Sequence, residues 1–496
     1  MPLIGIDVGT SGCKCSLFDY DGRQINSAYR EYDLIRLPGN RCEFDPGLVW
    51  ECTKAAIKEI TPGISQSDPC GIAVSSIGEA GVPLDASGEI LYNSIMYADP
   101  RGVEEAQILA DKLTPEGIMR VTGNPIHGMY SICKLMWMKK NLTDVFGKID
   151  KFLLYQDFIG YKLTGNTVMD YSLASRTMAF DVVGKVWSET ILNAAELTPD
   201  IFSKPVQSGS VVGTVLSSVS AELGLPSHTV VAAGAHDQVC AALGAGVVKE
   251  GMAVLGMGSS HCLTPVLEGP LLSDDMLKNN FNCEPHALAD MYITLAFTNC
   301  GGSLLQWFRD NMSVSEINQG GKIYARLDKM VQESPTNLLV LPHLLGSGTP
   351  HIDVFSTGMI AGLTMDTTKI EIYKAFLEGV AYEMKYNLEC LVDSGVNIQV
   401  IRAVGGGANS DIWVQIMADV LNRRMETLNV NEAGTIATAV LGGAAIGIYE
   451  SAQDTVQSFI HVNKTFLPNR SKNQLYEERY AKYKKMYELA KQLRFD

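Results

Sequence analysis

The stretch Leu3-Ile4-Gly5-Ile6-Asp7-Val8-Gly9-Thr10-Ser11-Gly12-Cys13-Lys14-Cys15-Ser16-Leu17-Phe18 decides how the chain is read. Leu3 to Val8 is an apolar run of strand length, Gly9 to Gly12 is a turn, and Lys14 to Phe18 alternates as a second strand. Asp19-Tyr20-Asp21-Gly22 then closes a hairpin. Glycine lets backbone N–H groups converge on an anion, and the Thr10 and Ser11 hydroxyls add donors without bulk. The turn is therefore a candidate phosphate cradle. Asp7 ends its strand at the loop, where a carboxylate either caps the turn or holds Mg2+, an ion that gives up its water reluctantly.

The pattern recurs further along the chain. Met252 to Leu255, then Gly256-Met257-Gly258-Ser259-Ser260, then His261 to Val266 again read strand, turn, strand, with Gly258 placed 249 residues after Gly9 in a chain of 496. Two such loops half a length apart suggest a duplicated architecture. A third loop, Val404-Gly405-Gly406-Gly407-Ala408-Asn409-Ser410, precedes a helix starting near Asp411. Helix N-termini favour phosphate, and the glycines let a purine or phosphate approach the backbone. No GxxxxGK[ST] or GxGxxG stretch occurs, so neither a P-loop nor a dinucleotide fingerprint is supported. Each loop alone reads as an ordinary turn; three of them after apolar strands point to a nucleotide.

Gly234-Ala235-His236-Asp237-Gln238 interrupts the apolar run from Val230 to Val248. A charge there costs several kcal/mol (order of magnitude) unless it has partners. Phosphoryl transfer to an alcohol needs a carboxylate to orient and deprotonate the hydroxyl, and Asp237 fits that role, with Gln238 available to the substrate. The competing reading is a helix N-cap, since a helical pattern follows. His236 reads as a structural histidine.

Composition bounds these readings. Length predicts two or three domains, and 46% hydrophobic with 19% charged residues is globular. A net charge of −15 argues against a nucleic-acid or anionic-membrane partner. The eleven cysteines include no CxxC pair and read as free thiols of a reducing compartment. No basic segment precedes an apolar run at the start, and no run of ~18 apolar residues occurs, so a soluble cytoplasmic protein is expected. A homodimer is compatible with this surface. Helical spacing appears at Val49 to Ile60, Lys134 to Lys140, Ile370 to Val392 and Ile412 to Leu421. In the tail from Asn469 to Phe495, Tyr476, Tyr480, Tyr483 and Tyr487 fall on one helix face and read as packing. Strands alternating with helices give an α/β chain, with a boundary near Ala245 to Glu250.

These residues resemble the FGGY carbohydrate kinases over nearly the whole length. Met129-Tyr130-Ser131-Ile132-Cys133-Lys134-Leu135-Met136-Trp137-Met138-Lys139-Lys140-Asn141 satisfies one signature of that family. Gly358-Met359-Ile360-Ala361-Gly362-Leu363, with Glu371-Ile372 and Leu377-Glu378, is close to the other, Phe376 departing from it. The resemblance implies two ribonuclease-H-like domains of the actin/hexokinase type flanking a central cleft: residues 1–247 for the sugar and 248–496, with the C-terminal helix, for the nucleotide. It implies ATP and Mg2+ as cofactors, Asp237 as catalytic base, and Asp7 beside the metal. Gly9, Thr10, Ser11 and Lys14 would lie near the transferred phosphate, Gly258 and Ser259 in the second phosphate loop, and Gly406, Gly407 and Asn409 in the adenosine loop.

The match loosens where substrate is chosen. Where xylulokinases usually carry Met-His-Gly, this chain reads Ser75-Ser76-Ile77-Gly78-Glu79-Ala80-Gly81. Glu79 resembles the acidic residue that glycerol kinases set against substrate hydroxyls. Tyr92-Asn93-Ser94-Ile95-Met96-Tyr97-Ala98-Asp99 is similar to the same branch, which makes Tyr97 and Asp99 substrate candidates. Val168 to Ser175 and Thr122 to His127 are instead similar to gluconokinases and xylulokinases, and a Glu-Arg pair common in those is replaced at Gly346-Ser347-Gly348-Thr349-Pro350. A carboxylate at 79 would accept hydrogen bonds from a neutral polyol and repel an aldonate. The expected activity is thus ATP-dependent phosphorylation of a primary hydroxyl of a small neutral sugar, foremost a ketose such as xylulose. An alditol or gluconate is the alternative, and a non-catalytic nucleotide-binding regulator is the competing class.

Overall fold

The computed structural model describes residues 1–313, 323–429 and 432–494. The opening hairpin forms as the sequence dictates: β1 (Leu3–Val8) pairs antiparallel with β2 (Gly12–Phe18), Asp7 opposite Lys14, and β2 with β3 (Gln24–Glu31). Helix α1 (Pro46–Ile60), capped by Asp45, buries Val49, Thr53, Ala56 and Ile57 at helical spacing. The chain then adds β4 (Gly71–Ser76) parallel to β1. Beyond α2 (Ser131–Asn141) and α3 (Tyr171–Arg176) come β5 (Val211–Thr214) and β6 (Val230–His236), the latter parallel to β4. The order β5-β6-β4-β1-β2-β3 places His236 at the end of a central strand, and α4 (Asp237–Gly244) starts at the next residue.

The second sheet repeats this plan. β7 (Gly251–Met257) and β8 (His261–Leu267) form the antiparallel hairpin, extended by β9 (Glu284–Pro285), β10 (Tyr292–Ile293) and β11 (Ala296–Thr298). The long helix α5 (Lys369–Asp393) follows, entered through a capping box between Thr368 and Glu371. β12 (Ile398–Val404) lies parallel to β7, and after α6 (Asp411–Leu421) β13 (Arg424–Leu428) lies parallel to β12. Each sheet thus carries an antiparallel hairpin beside two further parallel strands, one architecture used twice.

The halves are not independent. Helix α7 (Ala433–Ala445), a run of small residues, crosses back onto the first sheet and packs against β1, β4 and β6. The approach is at backbone level: a β-carbon at Gly5 would overlap the Thr435 carbonyl, and one at Gly71 the Gly442 carbonyl. A core of Leu3, Ala73, Val239 and Leu243 from one half with Val254, Val266, Ile436 and Ala439 from the other fills the junction. The last strand, β14 (Val462–Phe466), closes the second sheet beside β13.

The single tail helix expected over Asn469 to Phe495 is interrupted at Lys484-Lys485, giving α8 (Arg470–Tyr483) and α9 (Met486–Gln492); Phe495 lies outside the described residues. Tyr476, Tyr480 and Tyr483 are buried against α5 as expected, and their hydroxyls add polar pairs that spacing could not show. Tyr476 donates to Glu378 at 3.2 Å, Tyr480 to Glu389 at 2.8 Å, Tyr483 to Glu383, and Tyr487 to Asp353 at 2.8 Å. Phe376 is accommodated by rings, with Phe308 5.7 Å away. All eleven cysteines are free thiols. No described helix is long and apolar enough to cross a membrane.

Candidate active site

Two of the three glycine loops meet in space. Gly258 and Ser259 line a cavity of about 350 Å3 together with Gly406, Gly407, Tyr373 and Trp413. Gly405 can make this approach because its φ of 88° costs glycine nothing. Asn409 is spent within its own loop, its amide donating to the Gly406 carbonyl at 3.2 Å, and Ser410 caps α6 by accepting from the Trp413 N–H. Trp413 and Tyr373, both almost fully buried, back this cavity behind the two loops.

The first loop is braced from behind. Gly9 N–H donates to Gly12 at 2.9 Å, and the Tyr32 hydroxyl donates to the Gly9 carbonyl at 2.6 Å. Lys14 is paired with Glu432, so the cation expected near phosphate has a carboxylate partner already. Asp7 lies at the end of β1, with Oδ1 buried and unpartnered. Burial, and next the negative charge of Asp237, pushes its carboxyl up to about 6. An orphaned carboxylate oxygen facing like charges fits a divalent cation. Among the described residues no three His, Cys, Asp or Glu side chains gather into a metal cluster. An ion here would therefore depend on water and phosphate oxygens for the rest of its shell, as Mg2+ usually does.

Asp237 opens α4 rather than capping it: His236 occupies the cap position, and Asp237 keeps 32% of its side chain exposed. His236 is fixed on three sides. Its backbone N–H donates to Ser172 at 2.8 Å, Nδ1 meets Glu284 Oε1 at 2.8 Å, and Nε2 meets Asp237 Oδ1 at 3.3 Å. Burial opposes the charged ring, but Glu284 and Asp237 outweigh it and raise the imidazole to about 9. Glu284, although fully buried, is held below the usual carboxylate range by His236 and Arg176. Arg176 reaches Glu284 at 3.3 Å with one amino group and clasps Glu79 with Nε at 2.7 Å and its other amino group. Sequence reading missed Arg176 and Glu284. Arg176 stands one residue past the segment Val168 to Ser175, so that motif held a signal for it; the two-residue strand holding Glu284 held none.

Between the halves opens a cavity of about 230 Å3, lined by Tyr97, Ile126, Tyr130 and Arg176 on one side and by Asn282 and Phe297 on the other. Tyr97 sits within electrostatic reach of Glu79 and Asp237, and burial with those charges raises its phenol. Gln238 is half-buried beside Asp237. Asp99 requires correction. Its carboxylate accepts from Arg101 Nε at 2.8 Å, the terminal amino group at 2.5 Å, and the backbone N–H groups of Arg101 and Cys42. With both oxygens committed, it braces the loop after Tyr97 rather than offering a substrate contact. The first signature explains this brace: Lys134 donates to the Asp99 carbonyl at 2.7 Å and to that of Arg101, and Trp137 lies under the Arg101 guanidinium at 5.1 Å.

Residues 2–244 match the N-terminal domain, and residues 253–447 the C-terminal domain, of the FGGY family of carbohydrate kinases. A xylulose kinase of Staphylococcus epidermidis is 30% identical over 496 residues, covering 100% of this chain and 98% of that protein. The ligand-bound xylulose kinase and the gluconate kinase of Lactobacillus acidophilus each superpose with a TM-score of 0.90 at 26% identity, covering 98% of this chain and 97% and 98% of theirs. With signatures, doubled sheet and full-length likeness in agreement, the chain belongs to the FGGY family of carbohydrate kinases.

Proposed function

We propose that this kinase transfers the γ-phosphoryl group of ATP to a primary hydroxyl of a small neutral ketose, xylulose foremost. The observation that carries the reading is the partly exposed Asp237 carboxylate, set at the start of α4 beside Asp7 and at the junction of the two halves. In this scheme the sugar hydroxyl donates to Asp237. As its oxygen bonds to the γ-phosphorus, the proton passes to the carboxylate and the bond from that phosphorus to the β–γ bridging oxygen breaks, releasing ADP. Gly9, Thr10 and Ser11 would meet the phosphate from the first half, Gly258 and Ser259 from the second, and Gly406 and Gly407 would take the adenosine. Mg2+ held near Asp7 would supply charge neutralisation on the phosphates. Glu79, Tyr97 and Gln238 would contact the sugar. Closure of the halves would exclude water, which otherwise competes for the phosphoryl group. The eleven free thiols and the need for ATP support a cytoplasmic setting.

Gluconate is a second reading with its own support. Arg176 is bonded to Glu79, so the repulsion expected of an unpaired Glu79 toward an aldonate is largely offset. Preference for the neutral ketose therefore rests on the likeness to xylulose kinases. Sugar-dependent ADP release across ketoses, alditols and aldonates tests both. A neutral ketose giving the highest kcat/KM supports the proposal, and gluconate exceeding every neutral sugar overturns it. No release with any sugar would point to the non-catalytic alternative.

A further inference from the structure

We infer that Glu284 is a positioning residue that reaches from the second sheet to hold the His236 ring against Asp237 and to tie that pair to Arg176 and Glu79. The inference rests on the reading of Asp237 as base. Five ionisable side chains form a continuous line, Glu79, Arg176, Glu284, His236 and Asp237, alternating in sign. Four come from the first half of the chain. Glu284 alone comes from the second, on a strand paired to β10 in the sheet that carries the nucleotide loops. Its position in the line is central, with one oxygen on each neighbour: Oε1 accepts from His236 Nδ1, and Oε2 accepts from Arg176 and from the Asn282 amide at 3.2 Å.

Geometry gives this placement its effect. A histidine bonded at Nδ1 to a fixed carboxylate holds its ring in one orientation, and here that keeps Nε2 3.3 Å from Asp237 Oδ1, an ion-pair contact that draws this oxygen toward the ring and leaves the other for a substrate hydroxyl. Arg176 likewise cannot shift without disturbing both Glu79 and Glu284, and it lines the cavity between the halves. The line therefore couples Arg176, which lines the cavity between the halves, to Asp237 through a residue of the second half of the chain. The titratable groups around Asp237 are Asp7 from β1, His236 from its own segment, Cys240 from α4, and the neutral Tyr97 phenol and Cys262 thiol within electrostatic reach.

The test compares Glu284→Gln, His236→Gln and Asp237→Asn in the full-length enzyme, with the best sugar of the panel. Glu284→Gln is expected to lower kcat by about 30-fold or more, to move the acid limb of the kcat profile, and to leave the KM for ATP within about twofold. His236→Gln should give the same pattern, and the double variant should be no worse than either alone, because both act through one line. If Glu284→Gln does not fold, as judged by thermal melting, His236→Gln carries the test alone. Folded variants with wild-type kcat and pH profile overturn the positioning role while Asp237→Asn remains inactive. An active Asp237→Asn overturns the base assignment itself, and the inference with it.

Discussion

The charge on His236 should make part of the protein's stability depend on alkaline pH. The ring is buried beside Glu284 and Asp237, and its pKa rises from 6.5 to about 9 on folding. A group that binds its proton more tightly when folded stabilises the native state below its unfolded pKa and loses that contribution as pH rises through the folded one. The full contribution, roughly 3 kcal/mol, is present below about pH 6.5, falls to about 1.4 kcal/mol at pH 8, and is nearly gone by about pH 10. His236→Gln removes the titration while keeping similar bulk. Urea unfolding of both proteins at several pH values isolates the term above about pH 6, because groups not coupled to His236 cancel in the difference. The wild type should lead the variant by roughly 3 kcal/mol near pH 6, with the gap closing toward pH 10. A gap constant across that range would show that folding leaves the proton affinity of His236 unchanged and would refute the reasoning.

Three further perturbations probe separate links. Asp99→Asn strips Arg101 of a buried carboxylate partner, which costs about 3–5 kcal/mol of stability; an unchanged melting temperature would show that Asp99 does not brace this loop. Gly5→Val pushes a side chain into the Thr435 carbonyl, and such overpacking costs about 1–3 kcal/mol or more; an unchanged melting temperature would show that α7 can move aside. Tyr483→Phe removes the hydroxyl that donates to buried Glu383, a loss of about 1.5–3 kcal/mol read by chemical denaturation, with kcat unchanged.

Much of the fold was legible because backbone rules are local. Leu3–Val8 and Gly12–Phe18 could be read from alternation and turn residues, and β7 with β8 from the same grammar. Asp237 was visible because a carboxylate inside an apolar run needs a reason. What stayed hidden was pairing across long separations. Nothing in the sequence marks Glu284 for His236, 48 positions away, or Arg176 for Glu79, 97 positions away. Asp99 became a candidate together with Tyr97 through the likeness of Tyr92 to Asp99 to the glycerol-kinase branch, and only the fold shows Arg101 and the Cys42 N–H occupying its oxygens.

Helix α7 also bears on how the chain is made. It covers β1, β4 and β6, whose residues are complete once His236 has left the ribosome, yet its own first residue is Ala433. About 200 residues of synthesis separate the two, or roughly 10–40 s at 5–20 residues per second. During that interval the sheet face that carries Gly5 and Gly71 has α4 beside it but lacks α7. The two halves are thus linked in assembly as well as in packing: a chain released at residue 247 would carry its first sheet without α7, and the contacts of Gly5 and Gly71 with that helix form only after the second half is made.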